Sequence, residues 1–416
     1  MTQSTDRVWP SSAGSLQPIQ SATPPPVSPG SVRVSRRAAA LRRTAAKEIG
    51  DVAAGLRAAG REVIGLQGSP WWLPPEHVLA AATAAYAQTS VAHSQGSPEV
   101  RRAFSLKLER DNGVLVDSER EVLVTNAGMH ALHVAFTTLL DPGDEVVLCA
   151  PIFYFFGAIE LAGGVPVYAG TRQEDGWRWD IDALAKAITP RTKLIVVNTP
   201  TNPTGYVATR AELEAILDLA RYHDLLVLAD EAYENMVFDG ARHVTFASLP
   251  GARERTVTVY SLTKTYALRQ WRIGFLAAPA DLTAHFRKVL EWDVLACNHV
   301  AQAAAAAALT GPQEWVSDIA ARFQRCRDLM IAGLRETPGL TFAIPTGAPF
   351  LFVNVAELGL SGDELSHVLL HEHGVVTDPG SFFGSAKHVR LPFGGEDEVV
   401  REAARRLDSA ARTLAG

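Results

Sequence analysis

The fold is decided by the stretch from Leu194 to Gly205, which reads LIVVNTPTNPTG. Its first four residues are all Leu, Ile or Val, without the alternation of apolar and polar residues that a half-exposed strand shows. Such a run is typical of a strand that is buried on both faces, as in a parallel sheet covered by helices. A turn rich in Pro, Thr and Asn follows directly, so Asn202 comes just past the carboxyl end of the predicted strand.

Six more β-rich runs lie on either side of this stretch, between residues 121 and 277. Helical patterns such as His130–Leu140 and Arg210–His223 separate most of them, which predicts right-handed crossovers in a parallel sheet. Only twelve residues, without an amphipathic helix, separate the last two runs, so we expect that pair to be antiparallel. The sequence therefore predicts an α/β fold with a mostly parallel seven-stranded sheet. The seven runs are Glu121–Thr125, Glu145–Cys149, Val165–Ala169, Lys193–Asn198, Leu225–Ala229, Thr256–Tyr260 and Ile273–Ala277.

The chain of 416 residues is too long for one compact core, and its composition changes along its length. Residues 1–45 are predicted to be a flexible N-terminal extension, with an Arg-rich end that reads as a basic first helix leading into the fold. We expect residues 46–75 to form the N-terminal part of a small domain. Residues 76–299 are then a large domain that carries the sheet, and residues 300–416 complete a smaller α+β domain.

Charge and cysteine content exclude several classes of protein. The net charge of −6 and the pI of about 6.1 give no support to binding of nucleic acid or of an anionic membrane. No apolar run approaches the roughly eighteen residues that a membrane span needs. The cysteines, Cys149, Cys297 and Cys326, are far apart and lack the spacing of metal ligands. We therefore expect a cytoplasmic protein with neither a metal site nor disulfides.

Five side chains with complementary chemistry stand at or just past the ends of the predicted strands. They are the amine of Lys264, the carboxylate of Asp230, the phenol of Tyr233, the amide of Asn202 and the guanidinium of Arg272. In open α/β sheets, ligands bind beyond the carboxyl ends of the strands. Pyridoxal 5′-phosphate needs each of these groups, because it presents an aldehyde, a pyridine nitrogen, a phenolic oxygen and a phosphate. The pattern predicts a site for this cofactor, with Lys264 as the residue that binds its aldehyde.

Each of these residues alone has a more ordinary interpretation. A lone lysine such as Lys264 is usually solvated, and Asp230 could simply cap the structure that follows its strand. The sequence Asn-Pro-Thr-Gly that begins at Asn202 is a good turn by itself. Only the joint position of these residues at the strand ends favours a cofactor site.

The phosphate and the flat ring of the cofactor need further partners. After the strand that ends at Thr125, small residues at the bend lead into a helix, whose first amides suit a phosphate. Ser261 and Arg272 would add a hydroxyl group and a cation. Phe153, in an aromatic segment past the second run, is the predicted stacking residue. The predicted cofactor-binding residues are Ala127, Gly128, Met129, Phe153, Asn202, Asp230, Tyr233, Ser261, Lys264 and Arg272.

In these features the chain resembles the class I/II aminotransferases of the fold-type I pyridoxal-phosphate superfamily, from roughly residue 60 to the C terminus. Further motifs carry the resemblance, and their order along the chain makes it very specific. They are LQGSP at 66–70, QGSPEVR at 95–101, DPGDEV at 141–146, DPGSFFG at 378–384 and HVRLPF at 388–393. The resemblance implies transfer of the α-amino group of an L-amino acid to a keto acid.

The resemblance also implies a role for each catalytic residue. Lys264 would form the Schiff base with the cofactor and would then move the proton at the substrate Cα. Asp230 would pair with the pyridinium nitrogen, while Tyr233 and Asn202 would contact the phenolic oxygen.

Two residues are implied for the substrate, and a partner subunit is implied for the site. Arg390 would receive the α-carboxylate through its planar fork, assisted by the backbone around Gly68. Family members usually build their sites across a two-fold interface, so the resemblance implies a homodimer with shared sites. The phosphate would be held by Gly128, Met129, Ser261 and Arg272.

The chain departs from the family pattern at three places. The phosphate-binding turn reads Ala127-Gly128 where relatives have Gly and then a small residue, and Gln270 replaces a frequent glycine. Val91 stands where many relatives have a tyrosine that reaches the partner subunit's phosphate. These departures keep open a non-transaminating enzyme on the same scaffold, which would eliminate or replace groups, cyclise or oxidise an amino acid. A cofactor-binding regulatory protein is the less favoured alternative.

Two acidic residues bear on the choice of substrate. In the segment EWDVL at 291–295, where dicarboxylate-specific relatives carry an arginine, the chain has Glu291 and Asp293. A carboxylate there would repel the side chains of aspartate and glutamate substrates. We therefore expect poorer activity on these than on neutral, aromatic or basic amino acids. The alternative interpretation is that both acids are solvated helix residues.

Overall fold

The computed structural model describes residues 34–66, 73–88, 93–153 and 155–415. Within these residues the helices are α1 (Arg36–Ala40), α2 (Ala45–Ala58), α3 (Glu76–Tyr86), α4 (Pro98–Lys107), α5 (Ala127–Leu139), α6 (Phe155–Ala162), α7 (Ile181–Ala187), α8 (Arg210–Tyr222), α9 (Leu262–Thr265), α10 (Ala280–Asp293), α11 (His299–Thr310), α12 (Glu314–Leu334), α13 (Gly362–His371) and α14 (Asp397–Ala415). The strands are β1 (Ile64–Gly65), β2 (Val122–Thr125), β3 (Glu145–Ala150), β4 (Val165–Gly170), β5 (Thr192–Asn198), β6 (Leu226–Asp230), β7 (Thr256–Ser261), β8 (Gly274–Ala277), β9 (Thr341–Phe342), β10 (Phe350–Asn354), β11 (Val375–Val376), β12 (Asp378–Pro379) and β13 (His388–Pro392).

A seven-stranded sheet forms the centre of the molecule, with the strand order β2-β8-β7-β6-β5-β3-β4. Strands β7, β6, β5, β3 and β4 are mutually parallel, whereas β8 is antiparallel to both of its neighbours, β7 and β2. The predicted α/β fold with a mostly parallel seven-stranded sheet is confirmed. The antiparallel pairing expected for the last two runs is also confirmed, because β7 and β8 lie side by side.

The strands of this sheet are apolar throughout because both of their faces are covered. Successive side chains of β5 enter different cores. Leu194 and Val196 pack in a cluster that includes Phe136 of α5, whereas Ile195 and Val197 pack in a cluster that includes residues of α8. Side chains of a strand point alternately to its two faces. Helices on both sides of the sheet therefore require a continuous apolar run, which is the pattern seen in the sequence.

A second, smaller sheet has the strand order β12-β13-β10-β9, all antiparallel, and packs with α12, α13 and α14. The N-terminal segment joins this part of the molecule, because Ile64 of β1 pairs in parallel with Val375 of β11. Helix α11, which begins close to the predicted domain boundary at residue 300, packs instead on α3 and α4 beside the central sheet. The division into domains itself stays a prediction.

The basic N-terminal segment contacts two distant parts of the chain. Within the segment predicted to be flexible, the structure has the short helix α1. Arg37 donates a hydrogen bond from Nη1 to the main-chain oxygen of Leu161, 3.2 Å away, and the guanidinium of Arg42 lies 4.6 Å from the ring centroid of Phe382. The preceding residues 1–33 lie outside the described residues.

Two negative findings apply to the part of the chain that the structure describes. None of its helices is long and apolar enough to cross a membrane. No group of three or more His, Cys, Asp or Glu side chains in it could hold a metal ion.

Candidate active site

The carboxyl ends of β5 and β6 are tied together by main-chain and side-chain hydrogen bonds. Asn198, the last residue of β5, donates from Nδ2 to the main-chain oxygen of Asp230, the last residue of β6, at 3.3 Å. The side-chain oxygen of Asn198 accepts the main-chain N–H of Asn202 at 2.9 Å. The polar turn after β5 is thereby fixed beside the end of β6, and Asn202 is buried there.

Lys264 lies in the one-turn helix α9, directly after β7. Ser261 caps this helix, because its hydroxyl accepts the main-chain N–H of Thr263. The Lys264 amine lies 5.8 Å from the centroid of the Tyr233 ring. Burial is the main cause that lowers the pKa of Lys264 to about 7, and the positive charges of nearby arginines act in the same direction. At neutral pH about half of an amine with such a pKa is in the neutral, nucleophilic form, a far larger fraction than for an ordinary lysine.

The electrostatic surroundings of Asp230 shift its pKa in the opposite direction. Burial is the main cause that raises the pKa of Asp230 to about 7, and the charge of the adjacent Glu231 adds to the effect. The main-chain N–H of Ala232 donates to Asp230 Oδ1 at 3.1 Å and opposes it. The carboxylate at the end of β6 would be stabilised by a cationic partner.

The segment that follows Asp230 has two faces. Tyr233 turns toward Lys264, and its ring meets Phe350 edge-on with centroids 5.6 Å apart. Glu231 and Glu234 turn instead into the interior, where both are buried. Glu231 accepts hydrogen bonds from the Tyr260 hydroxyl at 3.1 Å and from the main-chain N–H of Phe246 at 2.8 Å, and it lies 3.1 Å from Nε2 of His243. Glu234 accepts from the buried amine of Lys107 at 2.5 Å.

The turn between β2 and α5 meets α9 and the loop after it. Ala127, at the start of α5, has a φ of 67°, which lies in the left-handed region, and Gly128 packs against Ser261, since a Cβ on Gly128 would lie 3.5 Å from the Ser261 Cβ. Gly274 of β8 passes so close that a Cβ there would lie 3.0 Å from backbone atoms of Ala127. The first amides of α5 thus lie beside the end of β7. Such a helix start suits an anionic group.

Arg272, a predicted phosphate-binding residue, follows α9 and lies two residues before Gly274. Its Nη1 donates to the Thr263 hydroxyl at 3.4 Å and to the main-chain oxygen of Arg269 at 3.2 Å. Its own φ of 53° is in the left-handed region, which is uncommon for a residue other than glycine. Met129 is 42% exposed on the same turn of α5.

The guanidinium group of Arg390, on β13, is fixed by two aromatic rings and by hydrogen bonds to two side chains. The guanidinium carbon lies 4.3 Å from the ring centroid of Phe350 and 4.5 Å from that of Phe383. Nη1 donates to Asn202 Oδ1 at 2.7 Å, while Nε and Nη2 donate to Asp378 Oδ2 at 3.1 and 2.7 Å. Asp378 was missed in the sequence. Its position directly opposite Arg390 depends on the pairing of β12 with β13, for which the sequence carries no local signal.

A second polar contact that the sequence did not reveal adjoins the turn between β2 and α5. His130 accepts the main-chain N–H of Asn126 at Nδ1, at 3.0 Å, and its Nε2 lies 3.0 Å from Asp293 Oδ2. The first turn of α5 is thereby joined to the end of α10, which places Asp293 beside this region. Glu291 has different partners, because it accepts from Arg287 at 3.0 Å and from the Ser94 hydroxyl at 2.6 Å.

The contacts described above do not include two of the predicted site residues, Phe153 and Gly68. Phe153 follows β3, and its ring meets Phe155 edge-on with centroids 5.4 Å apart. Gly68 lies outside the described residues, as does Val91. Other predicted residues do meet in the structure. The turn of Ala127 and Gly128 contacts Ser261, and Lys264 lies near Tyr233. Asn202 bonds to Arg390 directly and is joined to Asp230 through Asn198.

Together the fold and these residues define an α/β enzyme with a buried lysine of lowered pKa at the carboxyl edge of its sheet. The chain belongs to the family of class I and II aminotransferases, because the family model described as "Aminotransferase class I and II" matches residues 66–407. The family resemblance noted in the sequence, and with it the expected aminotransferase activity, is confirmed.

Curated relatives match nearly the whole chain. An aspartate aminotransferase of Geobacillus stearothermophilus is 35% identical over 90% of this chain and 98% of its own length. An arginine–pyruvate transaminase of Pseudomonas aeruginosa is 35% identical over 86% of this chain and 92% of its own. Among solved structures, an aspartate aminotransferase from Thermus thermophilus with maleate is 35% identical, covers 91% of this chain with 100% of its own, and has a TM-score of 0.86.

Proposed function

We propose that this aminotransferase works with pyridoxal 5′-phosphate bound covalently to Lys264. The observation that carries the proposal is the meeting of Lys264, Tyr233 and Asp230 at the carboxyl ends of the neighbouring strands β6 and β7, where burial shifts the pKa of Lys264 down and that of Asp230 up. Perturbed titratable groups that gather at one edge of a sheet are typical of catalytic sites. The class I and II family is known for this cofactor, which supports the same assignment.

The residues present fit the cofactor group by group. A neutral amine is what an aldehyde requires, and Lys264 has a lowered pKa. A protonated pyridine nitrogen would be the cationic partner that the buried Asp230 favours. The start of α5, with Ser261 and Arg272 beside it, suits a phosphate. Gly128 and Met129 would contribute main-chain amides to that phosphate site.

When bound, the cofactor supplies an electron sink that acidifies the substrate α-carbon and carries the amino group. The amine of Lys264 would serve as the base that takes the proton from the substrate Cα and as the acid that returns it. Its pKa near 7 suits it to both halves of this transfer. Asp230 would keep the pyridine nitrogen protonated. The hydroxyl of Tyr233, whose ring lies near the Lys264 amine, would donate to the phenolic oxygen.

Asn202 and Arg390 would link the cofactor to the substrate. The hydrogen bond from Arg390 to Asn202 Oδ1 orients the amide, so that its N–H groups remain to contact the phenolic oxygen. Arg390 would receive the substrate α-carboxylate, because its guanidinium is buried, cationic and presents a planar fork. The backbone around Gly68 would assist it. Phe153 would cover one face of the ring by stacking.

The preference for particular amino-acid substrates depends on the charge beside the first turn of α5. Asp293 lies there through its contact with His130, and it would repel a second carboxylate on the substrate. We therefore propose neutral, aromatic or basic amino acids as better donors than aspartate and glutamate. One relative is named for arginine and pyruvate, which agrees with this proposal, whereas others are named for aspartate.

A homodimer is proposed because large apolar side chains are exposed next to this region. Met129, Trp292 and Leu295 are 42, 94 and 75% exposed. The contact between His130 and Asp293 brings their chain neighbours close to one another. Exposed apolar groups that cluster in this way mark interaction surfaces. Trp292→Glu should reduce the mass measured by light scattering to that of a monomer, whereas Tyr222→Glu, at a side chain 85% exposed on α8, should not.

A cytoplasmic location is proposed as well. The cysteines Cys149, Cys297 and Cys326 are all buried free thiols, and such thiols persist in reducing compartments.

The central experiment locates the cofactor on the chain. Purified protein should be yellow, and borohydride reduction followed by peptide mapping should place the pyridoxyl group on Lys264. Lys264→Ala should fold normally and lose this modification. A pyridoxyl group on another lysine would overturn the assignment of the site.

A further inference from the structure

The guanidinium of Arg390 has five N–H groups, and three of them are already bonded within the protein. Nε–H and one Nη2–H donate to Asp378 Oδ2, and one Nη1–H donates to Asn202 Oδ1. These are its hydrogen bonds to the described residues, and they leave one N–H on Nη1 and one on Nη2. The phenyl rings of Phe350 and Phe383 occupy its two faces. An incoming carboxylate can therefore meet Arg390 only at these two remaining N–H groups.

The counter-ion of Arg390 is the buried carboxylate of Asp378. The side chain of Asp378 is fully buried, and that of Arg390 is 6% exposed. The two residues are directly opposite each other in the antiparallel pair of β12 and β13. Asp378 therefore compensates the charge of Arg390 from the Nε–Nη2 edge, next to the remaining N–H groups, in surroundings where charges are poorly screened.

We propose that Asp378 is the specificity-determining residue of the carboxylate site: it fixes the plane of the Arg390 fork and offsets its charge, so that a substrate carboxylate is recognised by geometry more than by charge. This inference rests on the proposed function, in which Arg390 receives the α-carboxylate. A carboxylate bound at the fork would be attracted by Arg390 and repelled, at a longer distance, by Asp378. The compensated site would bind substrate and release product without retaining every anion that enters it.

The test measures binding of 3-phenylpropionate, a carboxylate without an amino group, to the cofactor-loaded protein by calorimetry. Asp378→Asn keeps an oxygen that can accept from Arg390 but removes the charge. It should bind 3-phenylpropionate about five- to tenfold more tightly, and because the pair is buried the gain should largely persist when salt is added. Asp378→Ser, which also removes the charge, should bind more tightly than the wild type if Asp378→Asn does not fold. Equal or weaker binding by the folded variant would overturn the role of Asp378.

Arg390→Lys separates this inference from the proposed function. Lysine keeps the positive charge but lacks the planar fork. Arg390→Lys should therefore weaken binding of 3-phenylpropionate at least about tenfold in the wild type, and by a smaller factor in the Asp378→Asn variant. If Arg390→Lys leaves binding unchanged, the proposed role of Arg390 fails. If it weakens binding equally in both backgrounds, only the charge-compensating role of Asp378 fails. Asp239→Asn, which breaks the Asp239–Arg327 pair, is the matched control and should leave the affinity unchanged.

Discussion

The amine of Lys264 lies 5.8 Å from the centroid of the Tyr233 ring, although the two residues follow different strands of the sheet. Strands β6 and β7 are parallel neighbours, so their carboxyl ends bring the two side chains to the same edge. The Tyr233 ring is held in turn by its edge-on contact with Phe350. The surroundings of the amine are therefore set by packing, and its titration can be used to probe them.

The first prediction concerns the pH dependence of Lys264. The rate at which cofactor-free protein captures pyridoxal 5′-phosphate should rise as the pH passes about 7 and then level off, because the neutral amine is the nucleophile. Arg269→Ala should move this midpoint to higher pH, since the charge of Arg269 helps to lower the pKa of Lys264. Stopped-flow absorbance measures both. A rate still climbing toward the ordinary lysine value of 10.5 would show that the amine is solvated.

The second prediction concerns Asp230. Asp230→Asn should bind the cofactor but lose about a hundredfold or more in kcat, because the pyridine nitrogen would no longer be held protonated. Steady-state kinetics and the cofactor absorbance of the same preparation check it. Asp224→Asn, at a carboxylate 97% exposed just before β6, is the matched control and should behave as the wild type. Turnover of Asp230→Asn within a few-fold of the wild type would show that another group pairs with the nitrogen.

The third prediction concerns the substrate. Values of kcat/KM should be lower for aspartate and glutamate than for neutral, aromatic and basic amino acids, because Asp293 lies beside the first turn of α5, which we propose to be part of the site. Asp293→Asn keeps an acceptor for His130 and removes the charge, so it should raise kcat/KM for aspartate relative to phenylalanine. A clear preference of the wild type for aspartate would contradict the proposed pocket.

The fourth prediction concerns stability and pH. His388 accepts from the Ser385 hydroxyl, pairs with Gln173 and stacks on Phe352, with its neutral ring buried. Burial is the main cause that lowers the pKa of His388 to about 4, so the unfolded chain binds a proton more readily than the folded one. Stability from this residue is present above the ordinary histidine pKa of 6.5 and is lost as the pH falls toward 4, by up to about 3 kcal/mol.

Urea unfolding of the wild type and of His388→Gln at several pH values measures this contribution. The difference in unfolding free energy between the two proteins should shrink steadily between pH 6.5 and about 4. A difference that does not vary with pH would show that His388 contributes by packing alone.

Much of the fold could be predicted because burial on both faces leaves a visible mark in the sequence. The apolar run at Lys193–Asn198 corresponds to β5 (Thr192–Asn198), and the run at Leu225–Ala229 corresponds to β6 (Leu226–Asp230). The differences of one residue arise because strand ends depend on hydrogen bonds to neighbouring strands. The proximity of strand-end residues such as Asn198 and Asp230 follows from the parallel topology.

Contacts that depend on tertiary packing could not be predicted in the same way. The pairing of Asp378 with Arg390 requires the register of β12 against β13, which no local pattern specifies. The contact of His130 with Asp293 joins two helices that are far apart in the chain. Both pairs lie next to predicted site residues, yet their partners are chosen by how the elements pack.

The two-faced segment from Asp230 to Glu234 gives an indirect means of adjusting the chemistry. The negative charge of Glu231 helps to raise the pKa of Asp230, although its carboxylate lies in the interior with Tyr260 and His243. Neutralising Glu231 would make Asp230 a stronger acid without altering any group that contacts a ligand. Two homologues with identical ligand-contacting residues could thus differ in catalytic rate because of substitutions at buried positions such as Glu231. Such positions would allow the rate of the enzyme to be adjusted while its specificity is kept.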